Sequence, residues 1–125
     1  MFYKRTEYFR YTFDKPLEAK FRIIITDDNW IESKMGDCSL VDLSPGGAKL
    51  FADFELPLDR GPVKIHLEFT LYESKIDAKG PIVWKKPYRN GYLYGFDFEE
   101  DMAREELIVA ELKLLRKSEI EAKKK

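Results

Sequence analysis

The sequence predicts an all-β domain of six or seven short antiparallel strands followed by one C-terminal α-helix. Three observations lead there. Alternating apolar and polar residues recur from Leu17 to Phe98. Turn-forming clusters such as Ser44-Pro45-Gly46-Gly47 and Asn90-Gly91 separate these runs at short, regular intervals. From Asp101 onward the apolar period changes from that of a strand to that of a helix. Strands in such a series bury one face by closing into a barrel or stacking as a sandwich.

Residues 1–14 read as an extended arm, expected to be flexible, in which Tyr3, Tyr8, Phe9, Tyr11 and Phe13 interleave with Lys4, Arg5, Glu7 and Arg10 without a helical stripe. Residues 15–100 are expected to form the β-barrel and residues 101–125 the helix and its tail, all within one domain. Pro16 marks the start of the barrel. Leu17 to Thr26 is a strand with Phe21, Ile23 and Ile25 on one phase, and Asp27-Asp28-Asn29 is a turn. Trp30 and Ile31 open a short second strand. In Gly36 to Leu43, strict alternation sets Cys38, Leu40 and Asp42 on one face and Ser39, Val41 and Leu43 on the other. Ala48 to Ala52 resumes a strand after the Ser44–Gly47 turn, and Pro57 to Pro62 is a loop. Val63 to Tyr72 is the cleanest alternation, with Val63, Ile65, Leu67, Phe69 and Leu71 pointing one way. Glu73-Ser74-Lys75 turns the chain into Ile76 to Lys86, Pro87 to Asn90 turns it again, and Gly91 to Phe98 places Tyr92, Tyr94, Phe96 and Phe98 on a single phase. Asp101 is the candidate N-cap of the helix. Leu107, Ile108, Glu111, Leu112 and Leu115 follow helical spacing and are expected to dock on the barrel, with helix formers dominant to about Lys117 and a mobile tail beyond.

Composition narrows the function. The chain has 125 residues, 44% hydrophobic and 36% charged, enough for one domain with its own core. A formal net charge of -1 gives no electrostatic footprint for general DNA or RNA binding. Cys38 is the only cysteine, so no internal disulfide forms, and a reducing, cytoplasmic location is expected. His66 is the only histidine and has no second soft ligand beside it, so no metal centre is expected. No apolar stretch reaches bilayer length and no signal-peptide core is visible, so neither membrane insertion nor export is expected. No carboxylate pair, phosphate-binding glycine loop or nucleophile set stands out, and the expectation is a binding protein rather than an enzyme, with no cofactor.

What does stand out is an arginine-bearing aromatic arm followed by Asp42-Leu43-Ser44-Pro45-Gly46-Gly47. In that order, and together with Ile82-Val83-Trp84, Tyr94-Gly95-Phe96 and a terminal helix, these residues resemble the PilZ domain, a bacterial cyclic di-GMP receptor family. The family carries an Arg-x-x-x-Arg arm, often with one more basic residue before it, and an Asp/Asn-x-Ser-x-x-Gly turn. The turn matches at Asp42, Ser44 and Gly47. In the arm, Arg10 fits the second arginine, Thr6 stands at the first, and Arg5 fits the preceding basic position.

The resemblance implies a six- or seven-stranded antiparallel barrel that binds cyclic di-GMP through Lys4, Arg5, Arg10, Asp42, Ser44, Gly46, Gly47 and Trp84. It also implies a conformational change on binding that regulates a bacterial protein partner. The alternative is a ligand-free adaptor of the same fold. The chemistry fits the ligand class. Guanidinium groups pair bidentately with phosphate and with the O6/N7 edge of guanine. A carboxylate accepts from the guanine N–H edge, and Ser44 can hydrogen-bond a base or a phosphate. Glycines admit positive φ and close ligand approach. Trp84 is either a core residue or a face for stacking a base.

Overall fold

The computed structural model describes residues 10–26, 30–32, 36–53, 55, 56, 58 and 63–123. Among these residues seven strands and one helix appear in chain order: β1 (Tyr11–Thr26), β2 (Trp30–Glu32), β3 (Gly36–Ser44), β4 (Gly47–Ala52), β5 (Lys64–Thr70), β6 (Lys75–Tyr88), β7 (Gly91–Asp97) and α1 (Met102–Lys123). The strand order is β2-β1-β3-β4-β7-β6-β5, and β1 also pairs with β5. Six strands therefore close into an antiparallel barrel, with β2 appended to the far end of β1. Closure removes the unpaired edges that an open sheet of this size would expose.

The alternation in β5 translates directly into a face: Ile65, Leu67 and Phe69 are buried while Lys64, His66 and Glu68 look outward. Ala48, Leu50 and Ala52 do the same in β4. The interior so formed includes Phe21, Leu40, Leu43, Ile76, Tyr94 and Phe96, and Ile108 and Leu112 of the helix belong to the same cluster. Cys38 lies in this cluster as well; burial, and then the neighbouring Asp37 charge, push its thiol up to about 12, so it is inert as a nucleophile near neutral pH.

Several sequence expectations shift in detail. Tyr11 to Asp14, assigned from sequence to the arm, form the start of β1, and Tyr11 and Thr12 pair with Leu43 and Asp42 of β3. The last hairpin turns at Arg89-Asn90, one position earlier than Asn90-Gly91, with Arg89 in the left-handed region at φ 52°. Strict alternation in β3 fails. Cys38, Leu40 and Leu43 are buried in the core, whereas Asp42 pairs across the strands with exposed Thr12 and half-exposed Lys49 and so shares their outer face. The cause is a bulge: between Leu40 and Asp42 the β3–β4 register shifts, so Val41 is an extra residue with no partner on β4.

The helix begins where expected, Asp101 Oδ1 accepting from the Arg104 N–H at 3.1 Å. It continues to Lys123, six residues past the predicted Lys117. One anchor out there is Tyr11, whose hydroxyl donates to Glu119. Leu107, expected to dock, is instead 37% exposed, and the buried stripe is Ile108, Glu111 and Leu112, with Leu115 partly buried. Glu111 is the unusual member. Its Oε1 accepts the backbone N–H groups of Tyr72, Glu73 and Ser74 at 3.0, 2.8 and 2.8 Å, which ties the helix to the β5–β6 turn. Burial alone raises such a carboxyl; the three backbone donors outweigh it and hold Glu111 below its ordinary value.

Glu111→Ala leaves three turn N–H groups without this acceptor and is expected to cost ~1–3 kcal/mol in urea unfolding. Because the folded-state value is depressed, the charge of Glu111 contributes fully above the unfolded value of 4.5 and is lost as pH falls through the folded value. The stability gap between wild type and Glu111→Gln is therefore expected to close on acidification from pH 5. A gap that stays constant over that range contradicts this account of the turn.

Candidate functional site

Two adjacent cross-strand rows build the site. The inner one runs Tyr11–Leu43–Ala48–Phe96–Ile82 across β1, β3, β4, β7 and β6, and all five residues are buried. The neighbouring row runs Thr12–Asp42–Lys49–Gly95–Trp84 across the same five strands and faces outward. Successive residues of a strand point to opposite faces, so the apolar row beneath fixes the height and direction of the polar row above. The bulge at Val41 brings Asp42 into the outer row. A second register shift, between Ile82 and Trp84, leaves Val83 and Trp84 both exposed beside it.

At the β3 end of the row, Asp42 is buried, with only 4% of its surface exposed, yet it holds two cations. Arg10 Nη1 lies 2.5 Å from Asp42 Oδ1, and Lys49 Nζ lies 3.6 Å from Oδ2. The Arg10 side chain is 47% exposed, so its guanidinium covers the carboxylate while remaining open to solvent. A buried carboxylate is tolerated here because it is paired on both oxygens.

Two hydrogen bonds tie the Asp42–Gly47 turn down. Ser44 is buried, and its hydroxyl donates to the Gly47 carbonyl at 3.3 Å, closing the hairpin. The Gly46 carbonyl accepts from the Phe98 N–H at 2.9 Å, tying the turn to the end of β7. Gly47 is required for closeness: a Cβ there would sit 2.6 Å from the Phe96 carbonyl oxygen. The positive φ expected of it is not what the position uses, since Gly47 is the first residue of β4 and pairs with Ser44 and Asp97.

At the other end, Trp84 resolves the choice left open by the sequence. It is 40% exposed, on the outside of the barrel. Its indole lies across Gly95, where a Cβ would fall 2.0 Å from Nε1, so the ring leans over β7 toward β4. Only glycine leaves room for it.

The structure thus brings Arg10, Asp42 and Trp84 to one outer face, with Ser44, Gly46 and Gly47 in the adjoining turn. Lys4 and Arg5, and Thr6 with them, lie outside the described residues. Lys49 was not among the residues singled out from the sequence. Its signal was available, as the outward phase of β4 two residues after Gly47, but the pairing that sets it beside Asp42 depends on the bulge. A concavity of about 1050 Å³ lies elsewhere, lined by residues including Leu17, Lys20, Asp37, Phe51, Glu68 and Lys75. Four of its charged residues pair within the groove, Lys20 with Asp37 and Lys75 with Glu68, and it contains none of the residues of the row. Among the described residues no cluster of three or more His, Cys, Asp or Glu could hold a metal ion, and no helix is long and apolar enough to cross a membrane.

The sequence model of the PilZ domain matches residues 4–114. The chain belongs to the PilZ domain family. Among solved structures, the PilZ domain of YcgR from Escherichia coli, determined with c-di-GMP, is similar at a TM-score of 0.63 and 16% identity, covering 98% of this chain and 100% of that one. The PilZ domain of CeSA from a cellulose-synthesizing bacterium is similar at a TM-score of 0.52 and 17% identity, covering 89% of this chain and 98% of the other. At these identities the likeness is one of fold. No curated protein matches the sequence. In this PilZ domain the family's turn motif and the arm's second arginine meet as the Arg10–Asp42 pair.

Gly95→Ala tests how the outer row is built. The added methyl has to displace the indole, and the substitution is expected to cost ~1–3 kcal/mol, the usual range for overpacking. In a Trp30→Phe background the emission of Trp84 should shift as well. An unchanged spectrum with unchanged stability contradicts the placement of the ring over Gly95.

Proposed function

We propose that this PilZ domain is a cyclic di-GMP receptor that changes shape on binding and so regulates a bacterial protein partner; it binds its ligand and catalyses no reaction on it. The observation that carries this reading is the outer row itself: a guanidinium on a carboxylate at one end and an exposed indole at the other. Cyclic di-GMP presents two phosphates, two guanine donor edges and two flat bases. Arg10 supplies bidentate donors for phosphate or for guanine O6/N7, Asp42 an acceptor for the guanine N–H groups, and Trp84 a stacking face. The solved YcgR domain, which carries c-di-GMP on the same fold, supports the choice of ligand. The net charge of -1 disfavours DNA and RNA, and the cytoplasm is the compartment the lone cysteine favours.

The route from ligand to partner runs through Tyr11. Arg10 and Tyr11 are adjacent, and Arg10 reaches Asp42 while Tyr11 reaches Glu119 near the end of α1. Burial first, and then the Glu119 carboxylate, push the Tyr11 phenol up to about 12, so it remains the donor at neutral pH. A ligand that draws Arg10 away from Asp42 moves the chain next to this tie, and the last turns of α1 respond. The adaptor reading rests on Thr6, which carries no charge where the family's arm has an arginine.

Calorimetric titration with cyclic di-GMP decides between the two. A micromolar or tighter dissociation constant is expected, about 8 kcal/mol or more at the 1 M standard state; no heat and no amide shifts at high micromolar ligand leave only the adaptor. Arg10→Ala should weaken binding by ~1.5–3 kcal/mol, the range for a hydrogen bond to a charged group. Asp42→Ala should erode the preference for cyclic di-GMP over cyclic di-AMP, because the acceptor for the guanine edge is gone. Unchanged affinity and preference in these two variants remove the site assignment.

A further inference from the structure

We infer that Lys49 is a phosphate-binding residue of this site, adding a cation from the barrel itself to that of Arg10; the inference rests on the cyclic di-GMP reading. The argument is one of position. Asp42 lies on β3 and Trp84 on β6, with β4 and β7 between them. Neighbouring strands are ~4.8 Å apart, so the row from Asp42 to Trp84 spans roughly 14 Å. The indole already leans over Gly95 of β7. A ligand stacked on that ring and hydrogen-bonded to Asp42 must cross β4, and the row position on β4 is Lys49. A guanine at either end leaves the sugar-phosphate ring of the ligand above the middle of the row, where the ammonium group sits.

The charge is also free to be redeployed. Lys49 meets Asp42 only at 3.6 Å, while Arg10 already holds the other oxygen of that carboxylate at 2.5 Å. The Lys49 side chain is 36% exposed, so Nζ reaches solvent on the ligand's side of the sheet. Turning from Asp42 to a phosphate exchanges a long ion pair for a shorter, charge-assisted one, while the guanine N–H edge serves Asp42 in its place. With Arg10 this puts two cations and one carboxylate under a doubly charged ligand, and without Lys49 the local charge of those groups is zero.

The test compares wild type, Lys49→Met and Lys49→Arg by calorimetric titration with cyclic di-GMP at two salt concentrations, with thermal melts of each. Lys49→Met keeps most of the length of the side chain and loses the charge. It is expected to bind about ten-fold more weakly, the equivalent of about 1.4 kcal/mol, with a flatter dependence of affinity on salt and a melting temperature close to wild type. Lys49→Arg, which restores the charge, should return affinity to within about three-fold of wild type. Lys49→Met binding within two-fold of wild type overturns the inference and leaves the receptor reading standing. Weaker binding with an unchanged salt dependence and a lowered melting temperature also overturns it, since Lys49 then only holds Asp42 in place. A wild-type protein that gives no heat at all overturns the receptor reading, and the role of Lys49 with it.

Discussion

The antiparallel pairing of β1 with β3 on one side and β5 on the other is the constraint on which everything else hangs. β1 is 16 residues long, and its two stretches serve different neighbours: Tyr11, Thr12 and Leu17–Phe21 pair with β3, and Lys20–Ile24 pair with β5. Without the second set the sheet would be open, with β1 and β5 as exposed edges. Closure turns one face of every strand inward and gives the apolar phase of the alternation a single place to go. It also carries the start of β1 to the site, where Arg10 meets Asp42, and to the helix, where Tyr11 meets Glu119.

On that frame the site is made by two departures from regularity. In β3 one extra residue, Val41, lets Leu40 and Leu43 both enter the core and sends Asp42 outward. In β6 one extra residue, Val83, leaves Trp84 exposed beside Gly95. Each bulge reverses the phase of its strand, and the result is a polar row directly beside an apolar one. The buried row Tyr11–Leu43–Ala48–Phe96–Ile82 is packed directly beneath, so the core holds the outer residues in place. The exception is Arg10, which lies just before β1 and is exposed.

The helix is held at both ends of its contact with the barrel, and by different chemistry. Ile108 and Leu112 enter the core, Glu111 caps the β5–β6 turn, and Glu119 takes the Tyr11 hydroxyl. The Glu111 tie is buried and gathers three backbone donors on the β5–β6 turn. The Tyr11 tie is one residue from Arg10. Of the two ties, the one at the C-terminal turns of α1 is thus the one adjacent in sequence to the residue that holds Asp42.

The strands and the helix are readable in the sequence because burial on one face imposes period two on a strand and 3.6 on a helix, and β5 shows this without error. The Asp42–Gly47 turn is readable because turn chemistry is local. Alternation alone, however, puts Asp42 on the same face as Leu40, and the structure puts it on the opposite one. A bulge leaves no mark in a single strand: it exists only as a mismatch between two, and so it is decided when β3 meets β4. The same holds for the exposure of Trp84, which depends on the partner of Val83, and for Lys49, an ordinary outward lysine until pairing sets it beside Asp42. Glu111 has helical spacing within an apolar stripe, yet its role comes from three N–H groups almost forty residues away. Local composition thus determined which segments are strands, turns and helix, because each answers to its own neighbours in the chain. Which side chains share a face at the site was decided by register between strands, a property that only the closed barrel possesses.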